Sequence, residues 1–263
     1  MENRKLSKNS VIIIAMVAVW LVIVGTIIYL TLTVSVAVSE RKIPVYRVVT
    51  DEKKVALTFN CAWDDSTTDH ILDILGEKGI RCTFFFVGDF ARKYPEDVRK
   101  IVNAGHEPAN HSDRHRSPSK QSYAELLSDI SSCNDEIKSL TGRNCTLYRA
   151  PSGEYTNDAV SAAESLGMTA VQWDVDSIDW KGKTPAEMLE RVRSKTVNGS
   201  ILLFHLGKEN TAEVLPQVTE YLQNSGYSFV TVSELLPDGD YDILPDGAAK
   251  PRETENASNT DKR

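Results

Sequence analysis

Several residues in this chain are of types and spacings that could do chemistry together. His111 and His115, in His-Ser-Asp-Arg-His, stand four apart, a spacing that one helical turn would bring onto a single face, where two imidazoles can grip one metal ion. Asp64 and Asp65 supply candidates for the carboxylate that would complete a His, His, Asp site with open positions, suited to a divalent ion holding a reactive water. Asp174, Asp176 and Asp179 lie between Trp173 and Trp180, an arrangement that fits a sugar platform or a wall lowering the local dielectric, and equally a solvated acidic loop. His205 closes the apolar run Ile201-Leu-Leu-Phe, and an imidazole emerging from a dry wall beside a carboxylate can act as a general acid; a satisfied core histidine is the alternative. Arg149 precedes Ala-Pro-Ser-Gly, a tight turn that fixes its guanidinium either to orient a carboxylate or to serve as an ordinary ion-pair partner.

Such residues need elements that bring them to one place. Short apolar or β-rich runs predict strands at Val55 to Asn60, Cys82 to Val87, Glu107 to Asn110, Leu147 to Arg149, Ala170 to Val175, Ser200 to Phe204 and Ser228 to Val232. Helical patterns lie between them, as over Tyr123 to Leu140, where Leu126, Leu127, Ile130, Ile137 and Leu140 recur at near-helical spacing. Strands alternating with helices imply a parallel sheet covered on both faces, closed as an incomplete barrel or open and doubly wound. In either form the chemistry belongs at the carboxyl ends of the strands. The polar residues gather there: Asn60, Asp64 and Asp65 after the first strand, His111 and His115 after the third, Arg149 at the fourth, the aspartates at the fifth and His205 at the sixth.

The 263 residues suffice for one sizeable core, and a net charge of -7 with no basic stripe argues against nucleic-acid binding. From Val11 to Val38 no residue is charged, a run longer than the roughly 20 residues needed to cross a bilayer. With Arg4, Lys5 and Lys8 ahead of it, residues 1–10 are expected in the cytoplasm and everything beyond the run outside. A cleaved signal peptide is the alternative, although its apolar stretch is usually about 7 to 15 residues. The expected organisation is a transmembrane helix over 11–38, a juxtamembrane linker over 39–51, a folded domain over 52–236 and a disordered polar tail over 237–263. Of the four cysteines, Cys133 and Cys145 are better placed to pair than Cys61 and Cys82, against the alternative of four idle thiols.

Taken together, the five segments resemble the polysaccharide deacetylase family, carbohydrate esterase family 4, with its NodB homology domain. Thr58-Phe59-Asn60, followed by Cys-Ala-Trp-Asp64-Asp65, is similar to the family's Thr-Phe-Asp-Asp in the style of an Ala-Trp-containing branch of Gram-positive bacteria. His111 to His115 matches His-Ser/Thr-x-x-His, Arg149-Ala-Pro-Ser-Gly matches Arg-x-Pro-x-Gly, Asp176-Ser-Ile-Asp179-Trp180 matches the fourth motif, and Leu203-Phe-His205 matches Leu-x-His. The resemblance implies an α/β fold, a distorted (β/α) barrel with about seven strands, preceded here by one transmembrane helix. It implies removal of N-acetyl groups from a cell-surface glycan such as peptidoglycan or a chitin-like chain, leaving acetate and an amino sugar. A divalent metal, zinc by preference, would be held by His111, His115 and Asp65. Asp64 would take the proton of the attacking water, a backbone N–H near Ser152 would receive the oxyanion, Trp180 would flank the sugar, and His205, tuned by Asp179, would protonate the amine.

Asn60 departs from the family pattern, because an amide cannot accept a proton where the family keeps its general base, and losing that base costs about 10²- to 10⁴-fold in rate. Three readings are open: Asp64 or Asp65 substitutes, a metal-held hydroxide attacks with weak assistance, or the protein is a membrane-anchored pseudoenzyme that binds glycan without turnover.

Overall fold

The structure is a computed structural model that describes residues 7–33 and 41–252, in two compact units that part between Arg41 and Lys42. The first unit is a single helix, α1 (Lys8–Thr33). Its stretch Lys8–Tyr29 has a mean hydropathy of 3.1 and buries none of its length against protein. At 1.5 Å per residue those 22 residues reach about 33 Å, enough for a hydrocarbon core of about 30 Å. The last part of the expected span, residues 34–38, lies outside the described residues.

In the second unit β1 (Arg47–Val48) is followed by β2 (Lys54–Cys61), α2 (Thr68–Glu77), β3 (Thr83–Phe86), α3 (Gly88–Lys93), α4 (Pro95–Asn103), β4 (Glu107–Asn110) and α5 (Tyr123–Thr141). Then come β5 (Leu147–Tyr148), α6 (Asn157–Ser165), β6 (Thr169–Ala170), β7 (Val175–Asp176), α7 (Pro185–Lys195) and β8 (Ile201–His205). α8 (Glu209–Asn224), β9 (Ser228–Val230), α9 (Val232–Leu235), β10 (Tyr241–Ile243) and β11 (Ala248–Pro251) complete the chain. The main sheet is parallel, in the order β6-β5-β4-β3-β2-β8-β7, with β9 pairing the start of β2. The helices start and stop where the chain supplies caps: Ser122 and Glu125 form a capping box on α5, which Gly142 ends in the left-handed conformation.

The sheet must curl, and chain geometry shows why. β6 and β7 occupy opposite ends of the strand order, yet only residues 171–174 separate them. Five residue steps span at most about 18 Å. A flat sheet would hold its end strands six gaps of about 4.8 Å apart, roughly 29 Å. The result is the incomplete barrel, not the open doubly wound sheet. The expected strand over Ala170 to Val175 is thus two strands on opposite flanks, its middle used to cross the opening.

Period-two alternation sorts β2 between two cores. Val55, Leu57, Phe59 and Cys61 face the large cluster under the helices, where Phe59 stacks on Phe84 at 4.9 Å. Ala56 faces the barrel interior with Phe85, Ala109, Leu147, Val171 and Ile201. Cys61 is therefore a core thiol, and all four cysteines are buried and free, which is the idle-thiol alternative and not the Cys133–Cys145 pair. His106 is a core histidine: its Nδ1 accepts from the Cys82 N–H at 3.1 Å, and burial, with help from Arg81, pushes it down to about 4.

Two boundaries differ from expectation. The linker over 39–51 is structured from Val45, which bridges Val171 beyond β6, while Arg47 bridges Ser200 before β8, so the segment ties both flanks of the gap. The polar tail is ordered through Arg252, because β10 and β11 form a hairpin whose second strand pairs β1 in parallel and buries Ala248 and Ala249. A polar segment can order when its backbone bonds go to an existing edge and not to a core of its own.

Candidate functional site

At the carboxyl ends of the strands a cleft of about 210 Å³ opens. Asn60, Ala62 and Trp63 reach it from the end of β2, His111 and His115 from the loop after β4, and Ser152 from the turn after Arg149. Trp173, Asp176, Trp180, Leu203 and His205 close the far side. Trp63 and Trp180 are 61% and 51% exposed, unusual for indoles, and stand as open apolar walls. All four non-glycine residues with positive φ among the described residues, Ser112, His115, Ser152 and Ile178, belong to the loops around this cleft. Backbone strain of this kind persists only where surrounding bonds over-determine it, and it concentrates at functional sites.

The His111–His115 segment is a loop, not the expected helical turn, because β4 runs straight into it and Ser112 and His115 are left-handed. Their rings nevertheless meet edge to face, centroids 5.0 Å apart. The loop is pinned from beneath: the Asn110 side chain accepts from the Ser112 N–H at 2.8 Å, and the Asp129 carboxylate accepts from the Asp113 N–H at 2.9 Å. Gly88 packs so closely on Asp113 that a Cβ there would come within 2.2 Å of its carboxylate. His111 Nδ1 donates to the Arg149 carbonyl at 2.8 Å, since a carbonyl can only accept, which leaves a lone pair on Nε2. Burial, reinforced by the neighbouring His115, holds His111 well below the usual imidazole range, and burial also lowers His115. Both rings are neutral at pH 7.

Arg149 is fully buried at the barrel end. Nη1 donates to Thr58 Oγ1 at 3.0 Å and to Asn60 Oδ1 at 2.9 Å, Nη2 donates to the Gln172 carbonyl at 3.0 Å, and the guanidinium lies 3.8 Å above the Phe85 ring. Its Nε has no hydrogen-bond partner among the described residues. Burial pushes the group down to about 9, so it stays charged at neutral pH with an amide oxygen where a carboxylate would neutralise it.

His205 and Asp179 form the pair that the sequence suggested. Asp179 Oδ1 accepts from His205 Nδ1 at 2.7 Å, and its other oxygen accepts from the His205 N–H and from Thr211 Oγ1, locking β8, the 179–181 turn and α8 together. Burial alone would raise the Asp179 carboxyl, but these bonds outweigh it and hold the group below the usual range. His205 Nε2 is left to face the cleft.

Asp64 and Asp65 do not join the site. Asp64 accepts from the Ser66 N–H at 2.9 Å in an Asx turn, and its backbone is pressed against Gly207, where a Cβ would meet it at 2.6 Å. Asp65 faces α4 instead: burial raises the Asp97 carboxyl, and a hydrogen bond shared with Asp65 raises it further. Two neutral imidazoles suit a divalent metal, but no third His, Cys, Asp or Glu completes a metal-holding group among the described residues. The donor set falls one short, and the expected metal site with Asp65 is not assembled.

The sequence gives Asp176 no separate role and marks Trp63 only as part of the Ala-Trp motif. Among the described residues Asp176 is the one carboxylate lining the cleft, with Oδ1 accepting from the Ile178 N–H at 2.7 Å and Oδ2 from Trp180 Nε1 at 3.4 Å. Trp63 stacks edge-on against His115 at 5.1 Å. A lone tryptophan just past a strand end was the available signal.

A polysaccharide deacetylase family model matches residues 47–171. The chain is 30% identical over 190 residues to a peptidoglycan-N-acetylglucosamine deacetylase of Bacillus cereus, covering 71% of this chain and 69% of that protein. It is 32% identical to the uncharacterised protein YlxY of Bacillus subtilis, over 73% of this chain and 60% of the relative. The chain spans only 39% and 42% of two longer peptidoglycan deacetylases. Among solved structures, a CE4 family pseudoenzyme from Bacillus anthracis matches with a TM-score of 0.72 at 30% identity, covering 80% of this chain and 73% of that one. A mutant of that pseudoenzyme with restored enzymatic activity matches with a TM-score of 0.71 at 32% identity, over 73% and 70% of the two chains.

Proposed function

Because the chain belongs to the polysaccharide deacetylase family, we propose that its domain recognises an N-acetylated cell-wall glycan and holds it without efficient turnover. One observation carries this reading: the amide of Asn60 occupies the end of β2 where a base would face the cleft, and no carboxylate among the described residues meets Arg149 in its place. Asp64 and Asp65 do not line the cleft, being engaged with the Ser66 N–H and with Asp97, and Asp176 is tied to the Ile178 N–H on the opposite side from β2. Without a base the reaction loses about 10²- to 10⁴-fold, and among the described residues His111 and His115 find no third metal donor. Binding is better supported. The cleft is small, on the scale of one sugar residue, and exposed Trp63 and Trp180 offer the flat apolar faces on which pyranose rings pack.

The chain's own residues would act on the ligand in three ways. His205 Nε2 and the Asn60 amide supply hydrogen-bonding groups at the floor, Arg149 keeps Asn60 in one orientation, and the indoles exclude water from the sugar faces. The intact His205–Asp179 pair favours a second reading, slow residual hydrolysis, because a protonated imidazole could still pass a proton to a departing amine. In both readings α1 holds the chain in the membrane, with the domain on the outer side.

Equilibrium binding and acetate release, measured with N-acetylglucosamine oligomers on the purified full chain and its His205→Ala variant, separate the two. The binding reading expects saturable association and no acetate above the His205→Ala level. Acetate release that His205→Ala abolishes would sink it in favour of slow hydrolysis.

A further inference from the structure

We propose that Asn60 is a recognition residue, an amide locked with its N–H₂ group towards the cleft to receive the carbonyl oxygen of an uncleaved acetamide; the proposal rests on reading the cleft as an N-acetylglycan site. An asparagine side chain carries one acceptor oxygen and two N–H donors, whereas a guanidinium carries donors only. The end of the amide that meets Arg149 must therefore be Oδ1, which accepts at 2.9 Å. The reverse orientation would set N–H against N–H in a dry interior. Arg149 cannot swing away to relax the arrangement. It is fully buried, bonded to Thr58 and the Gln172 carbonyl, and seated on the Phe85 ring.

Nδ2 is thus directed away from Arg149, and Asn60 lines the cleft. Nearby, His111 has its Nδ1 proton committed to the Arg149 carbonyl, so its Nε2 is an acceptor in the same cleft. A donor and an acceptor presented together complement an acetamide, which offers one carbonyl oxygen and one N–H. A free amino sugar offers an ammonium instead, which has only donors and meets the Asn60 N–H₂ unfavourably. An aspartate at residue 60 would reverse that preference, since a carboxylate only accepts. The substitution that removes a base thereby makes a contact selective for the acetylated sugar.

Calorimetric titration of the full chain in detergent micelles with N-acetylglucosamine tetramer and with glucosamine tetramer tests this, with acetate followed in parallel so that turnover is not read as binding. Wild type is expected to prefer the acetylated tetramer by at least tenfold. Asn60→Asp should bring that ratio to one or below, and Asn60→Ala should weaken the acetylated tetramer without favouring the amine. A ratio unchanged in both variants, with their melting temperatures showing them folded, would overturn the role of Asn60 and leave the glycan-binding reading standing. Failure of the wild type to bind either tetramer would remove that reading and this inference together.

Discussion

A buried guanidinium facing an amide, as Arg149 faces Asn60, keeps its hydrogen bonds but not its counter-charge. The desolvation of the arginine is already present in the native state, so supplying a carboxylate adds attraction at the cost of burying only one further charge. A bond between charged partners is worth about 1.5–3 kcal/mol against about 1 for a neutral one. Asn60→Asp should therefore stabilise the fold by about 1 kcal/mol, roughly 2–4 °C in melting temperature for a domain of this size. The Arg149 value is depressed, so its cost is complete as pH falls below about 9, and the gain should be constant across the neutral range. A lower melting temperature for this variant would show that carboxylate desolvation wins. Asp174 behaves oppositely. Burial raises it to about 6 although it accepts from Ser200 Oγ at 2.7 Å and from the Ile201 N–H at 2.8 Å. A raised carboxyl favours the native state below its unfolded value near 4 and loses that contribution as pH climbs through 6. Wild type should lose on the order of 2 kcal/mol between pH 4 and 7 from this group, and Asp174→Asn should flatten that part of a urea-midpoint profile; an unchanged slope would mean the carboxyl titrates normally.

Elements place the site through close contacts that composition does not announce. Gly88 at the start of α3 touches Asp113, so Gly88→Ala should force the His111–His115 loop upward. Overpacking of this kind costs about 1–3 kcal/mol, and a lowered urea midpoint together with weakened glycan binding is the expected result; wild-type behaviour in both would show that the loop yields freely. The same distinction separates what the sequence made legible from what it did not. Strand ends at Asn60, Arg149 and His205 are readable, because apolar runs bounded by polar residues mark β2, β5 and β8, whereas β4, Glu-Pro-Ala-Asn, carries no such run; α5 carries both its capping box and its terminal glycine. Asp64 and Asp65 were misplaced because residue identity gives a carboxylate but not its direction. Gly207 and the Asx turn point one away, and Asp97 engages the other. The run Ala170 to Val175 reads as one strand since nothing in its apolarity says that its middle crosses a barrel opening. The imidazole pair was found by spacing although the reason offered, a helical turn, does not hold: two left-handed residues fold the loop to the same juxtaposition.

At the scale of the whole chain, the polar ends of the domain are drawn into structure by pairing, with β11 lying beside β1 and Val45 strapped to Val171. The segment α1 differs in kind: its stretch Lys8–Tyr29 has a mean hydropathy of 3.1, and a helix apolar on every side favours an apolar medium. Each Leu or Ile at the centre of such a helix favours insertion by about 0.3–0.6 kcal/mol on the translocon scale, while a single charge there would cost about 2.5–3.5. From Val11 to Tyr29 the sequence has no such charge, so insertion is favourable by several kcal/mol. A signal peptide would insert as readily, and the difference lies in length: its apolar core usually ends by about 15 residues, whereas α1 continues as uninterrupted helix to Thr33. The expected outcome is retention as an intact anchor, with the chain in the membrane fraction after alkaline carbonate washing and the domain cleaved by protease added to whole protoplasts. Lys5, ahead of the apolar run, should remain in the N-terminal peptide of the mature protein when it is mapped by mass spectrometry. A soluble form beginning after residue 33 would make the helix a transient address, and the folded domain would then act free of the membrane and not on a tether.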